Sequence, residues 1–88
     1  MASVRDLKRN INDVIGDIIE AVYIWELSDP KADNKKGEAI IDEAITTFDE
    51  LIEKVNANDV ENKKTHFKAI RQELEDRGRA LIDKINAL

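Results

Sequence analysis

The chain has 88 residues, 42% of them hydrophobic and 38% charged, with a net charge of −5 and no cysteine. That length supports one core rather than two, and the mix of apolar and charged letters excludes a disordered tail, so residues 1–88 are read as a single helical domain. The missing cysteines remove any disulfide framework or thiolate metal site and favour a cytoplasmic protein, and the negative charge argues against general attraction to nucleic acid or an anionic membrane.

A first helix is expected over about 4–27. Ser3 is suited to cap it, and Asp6 places a negative charge at its positive end. Val4, Leu7, Ile11, Val14, Ile15, Ile18, Ala21, Val22 and Trp25 recur at helical spacing with Ile19 on the flank, which predicts one buried face. Many of these are β-branched, so the helix depends on tertiary packing to form. Ser28-Asp29-Pro30 should end it, because proline disfavours the α conformation in the residue before it.

A second helix is expected over about 34–57, capped by Asp33 or Asn34. Its inner positions read as Gly37, Ile41, Ala44, Ile45, Phe48, Leu51, Ile52 and Val55, with Ile40 at the edge. Asn56-Ala57-Asn58-Asp59 then gives a break, with Asn58 suited to a left-handed turn and Asp59 to the next cap. The third helix, about 60–87, presents Val60, Phe67, Ile70, Leu74, Gly78, Leu81, Ile82 and Ile85 on one face. The short breaks predict an all-α fold, an up-down-up antiparallel three-helix bundle.

Charge is shared unevenly between these elements. From Glu38 to Ala57 the only base is Lys54, set against Glu38, Asp42, Glu43, Asp49, Glu50 and Glu53, whereas the segment after Asn58 is mildly basic. Opposite fields on adjacent helices favour their packing, and an acidic second helix is also a secondary partner face.

If the second break centres near Asn58, Gly78 falls level with Glu38, and Trp25 should lie across a notch formed by Gly37 and Gly78. The same counting carries Leu81, Ile82, Ile85 and Leu88 toward or past the start of the second helix. Tyr23, Ile24 and Leu27 lie off the main stripe at that end, so the apolar surface there is either covered by the connection around 29–36 or used for contact.

Chemical motifs are missing from the pattern. His66 is the only histidine, and Ser3 and Ser28 fall at helix boundaries far from it, which argues against a nucleophilic triad. A di-iron bundle needs paired Glu-x-x-His motifs, and Lys63 stands three places before His66. The segment from Asp29 to Glu43 superficially resembles a calcium loop, yet aligning its glycine puts Ala32 and Lys36 at ligand positions. Outward carboxylates such as Asp42, Glu43, Asp49 and Glu53 stay hydrated and gain no catalytic shift. No enzyme activity, cofactor or metal is expected, and no stretch is apolar enough to span a membrane.

The expected function is therefore a helical interaction or self-association module, binding another protein or a second copy through Tyr23, Ile24, Leu27, Ile82, Ile85 and Leu88. The alternative is a nucleic-acid-associated accessory protein using Lys63, Lys64, Lys68 and Arg71. No exposed aromatic interleaves with those bases, and a solvated face that neutralises the second helix explains them more simply.

Overall fold

A computed structural model of the chain describes residues 4–29, 31, 34–57 and 60–88. It contains α1 (Val4–Ser28), α2 (Asn34–Val55) and α3 (Lys63–Asn86), packed against one another with no strand among the described residues. The three form the expected bundle, a rod of 50 × 19 × 16 Å.

The core takes one row from each helix. Leu7, Ile11, Ile15, Ile18 and Val22 of α1 are buried, as their helical spacing requires, and Ile70, Leu74, Gly78 and Leu81 answer from α3. Each fully buried Leu or Ile contributes about 1.5–3 kcal/mol by leaving water. Val4, expected inside, is 39% exposed at the mouth of the bundle, and Trp25 is half-buried.

The phase of α2 differs from the expectation. Its buried residues are Gly37, Ile40, Ala44, Thr47, Leu51 and Val55, so Ile40 moves from the edge into the core. Ile41, Phe48 and Ile52 are only half-buried and Ile45 is 46% exposed. In this phase Glu43 and Glu50 face Lys84 and Arg77 of α3, while the Ile40 row turns inward. Thr47 fits this interior because its hydroxyl donates to the Glu43 carbonyl at 2.8 Å, and no buried side-chain polar atom among the described residues lacks a partner.

The connections also differ in part. At the end of α1 the Ser28 Oγ donates to the Trp25 carbonyl at 3.1 Å, and the Asp29 carboxylate accepts from the Lys31 amide at 2.9 Å, a local turn that stops the helix. Asn34 lies in the first turn of α2; Ser3, Pro30, Asp33, Asn58 and Asp59 lie outside the described residues. The third helix begins at Lys63 rather than 60. Asn62 is its cap, with extended backbone and a side chain accepting from the Thr65 amide at 3.1 Å.

The register of α3 on α2 overturns the level counting. Arg77 meets Glu50 and Lys84 meets Glu43, so Gly78 lies beside the middle of α2 and not its beginning. A Cβ on Gly78 would lie 3.3 Å from Val14, while one on Gly37 would press on Val22 and Glu26. Val14 and Val22 are about 12 Å apart along α1, so the two glycines form no common notch for Trp25. The overhang is reversed as well: α3 ends beside the interior of α2, and the last turns of α1 with the first of α2 project beyond it.

Candidate interaction surface

The α2–α3 seam is lined by charges that neutralise one another. Lys54 Nζ lies 2.5 Å from Glu73, Arg77 Nη1 lies 2.6 Å from Glu50 and 3.1 Å from Glu73, and Lys84 Nζ lies 2.5 Å from Glu43. The Lys54 ammonium, helped by Arg77, holds the Glu73 carboxyl below its ordinary range against the opposing effect of desolvation. Glu50, with Glu73, raises Arg77 in turn. The neutralising bases are thus Arg77 and Lys84, not the expected Lys64, Lys68 and Arg71.

Lys63, Lys64, Lys68 and Arg71 are exposed, and none forms an ion pair with a described residue. They share their end of the rod with Arg5, Lys8 and Arg9, because α1 and α3 run parallel and Val4 lines the same depression as Lys63 and Phe67. His66 sits here half-buried, its Nε2–H donating to the Lys54 carbonyl at 2.6 Å and its ring 5.7 Å from Phe67. It closes the end of α2, and Ser28 stands at the far end of the bundle from it.

The six residues of the expected apolar contact do not form one patch. Ile82 and Ile85 line a groove between α1 and α3 with Val14, Ile18 and Ala21. This groove comprises two adjoining depressions of about 390 and 500 Å³ that share Val14 and Ile82. Tyr23, 53% exposed, instead borders a depression of about 250 Å³ on the α2 side, together with Ile41, Glu38 and Asp42. Ile24 and Leu27 project from the end of α1, Leu27 at 86% exposure, and Leu88 packs half-buried against the core. The described part of the 29–36 connection is itself exposed and leaves Tyr23, Ile24 and Leu27 uncovered.

The α1–α2 edge is the surface that sequence reading passed over. Ile41, Ile45, Phe48 and Ile52 follow at intervals of four, three and four, one straight row along α2, and Ile19 and Tyr23 flank it from α1. Periodicity alone reads this row as core, because it adjoins the Ile40 row at the same helical spacing.

No group of three or more potential metal-ligating side chains occurs among the described residues, and no described helix is long and apolar enough to cross a membrane. No family model matches this chain, and neither the curated proteins nor the solved structures contain a match.

Proposed function

We propose that this chain is a cytosolic helical interaction module, without catalytic activity, that binds another polypeptide or a second copy of itself through apolar side chains. The observation that carries this reading is the set of large hydrophobic residues left in water on a well-packed bundle: Tyr23, Ile24, Leu27, Ile45 and Ile82 are each 46–86% exposed. Singly such residues are ordinary, but Tyr23 and Ile82 border grooves shared with half-buried apolar neighbours and Ile45 stands in a row of them, as contact surfaces do. Site-specific photo-crosslinking tests it. A photoreactive residue at Leu27, Ile45 or Ile82 should capture a polypeptide in cells, and one at the exposed Asp76 should not. Capture at none of the three apolar positions would overturn the reading.

A second reading rests on the basic end. Lys63, Lys64, Lys68 and Arg71, all exposed on α3, would contact phosphates of a nucleic acid. Titration of RNA and DNA against salt separates the two readings. Phosphate contacts predict an affinity that falls steeply with ionic strength, and apolar association does not.

A further inference from the structure

We infer that the α1–α2 edge is the docking seam for a fourth helix, supplied by another polypeptide that carries aliphatic residues on one face and Lys or Arg along its flank. This deepens the interaction reading above and rests on it. Ile41, Ile45, Phe48 and Ile52 repeat with the four-three-four spacing by which one helix seats the side chains of another between its own. Within the bundle that row has no full partner. α3 lies on the opposite side of α2, against Glu43 and Glu50, and α1 covers the row only partly, leaving Ile45 46% exposed. Tyr23 and Ile19 supply the second wall, and the depression shared by Tyr23 and Ile41 opens one end of the seam.

The charge beside the seam decides the occupant. Glu38, Asp42, Asp49 and Glu53 run along α2 on the outer side of the apolar row, all exposed, and none forms an ion pair with a described residue. The acids of α2 that face α3 are neutralised, so the surplus of the helix is concentrated on this one edge. An acidic helix seated there would bring carboxylates together and a neutral one would leave the four acids unpaired in a drying interface, whereas a basic flank would complement them. Two copies packed with one α2 row against the other would set these carboxylates against each other, which favours a basic flank from another polypeptide.

The test uses the whole chain and a fluorescently labelled synthetic helix of about four turns, with Leu and Ile on one face and Lys along one flank, followed by fluorescence anisotropy. Two controls accompany it: a scrambled peptide of the same composition, and the same helix with Glu replacing Lys. The Lys-flanked helix should bind, and both controls should bind at least about tenfold more weakly. Ile45→Asp should weaken binding by a similar factor, as should the double variant Asp42→Lys, Asp49→Lys, which leaves the apolar row intact. Ile82→Asp, in the α1–α3 groove, should bind as the parent does. Equal binding of the scrambled peptide, or equal loss in Ile82→Asp, would overturn the assignment. A concentration-dependent rise in mass abolished by Ile45→Asp would also overturn it, by naming a second copy as the occupant. Crosslinks from Leu27 or Ile82 with no binding of the Lys-flanked helix would sink this seam while leaving the broader interaction reading intact.

Discussion

Along the side that meets α3, α2 is held by opposite charges brought together over a buried row; along the side that meets α1, it is held by aliphatic side chains that the bundle half covers. The first seam is closed in the electrostatic sense, since Glu43, Glu50 and Glu73 each have a cation within 3.1 Å. The second carries free carboxylates and apolar surface together. A three-helix bundle can bury only about one stripe of each helix. A helix with two adjacent apolar rows must therefore leave one at the margin, and on α2 that is the Ile41, Ile45, Phe48 and Ile52 row.

The largest expected effect separates the two rows of α2. Leu51→Ala should cost about 2–5 kcal/mol by emptying a fully buried site, whereas Ile45→Ala should cost about 1 kcal/mol or less, both read from urea midpoints. Comparable losses would mean that the two rows are equally buried and the contrast between the seams is wrong. A smaller gain is expected on the exposed side of α1. Gly16 is helical, and a Cβ there meets nothing within 4 Å, so Gly16→Ala should stabilise by about 1 kcal/mol and raise Tm by roughly 4–8 °C. A fall in Tm would show that something packs closely on that side.

The charged seam is worth less, because its members remain partly in water. Glu73→Gln should cost about 0.5–1 kcal/mol at neutral pH, and less in high salt. Its folded pKa is depressed, so the carboxylate's contribution is complete above the unfolded value and disappears as pH falls through the folded one. The gap between parent and variant should therefore close on acidification below about pH 4; a gap unchanged at pH 3 would refute the ion-pair account. Smallest of all, Glu75→Gln should change stability by at most a few tenths of a kcal/mol, since the Glu75–Arg79 pair is widely exposed and confined to one helix.

Much of the architecture was legible in the chain. The core rows of α1 and α3 follow from periodicity because each is the dominant apolar row on its helix, and Ser28-Asp29 marks the end of α1. The phase of α2 was not legible, because periodicity does not rank two neighbouring rows and Thr47 reads as polar until its hydroxyl finds the Glu43 carbonyl. The start of α3 was misplaced because Asp59 and Asn62 are both sound caps, and only the fold shows the Asn62 side chain on the Thr65 amide. The misplaced notch of Gly37 and Gly78 and the reversed overhang came from centring a tight turn on Asn58, whereas Arg77 meets Glu50 and Lys84 meets Glu43. Of the six apolar residues expected at a contact, Tyr23, Ile24, Leu27 and Ile82 are exposed while Ile85 and Leu88 pack half-buried on the core, and this division depends on the register of all three helices.

Because α1 and α2 run on past the last turn of α3, that end of the rod is a two-stranded stub, with fewer side chains shielding its backbone than the middle has. Its amide protons should exchange through local fraying long before the whole molecule opens. Occupation by a ligand at Tyr23 or Leu27 would slow that exchange first, giving the protein a built-in gauge of whether this tip is engaged.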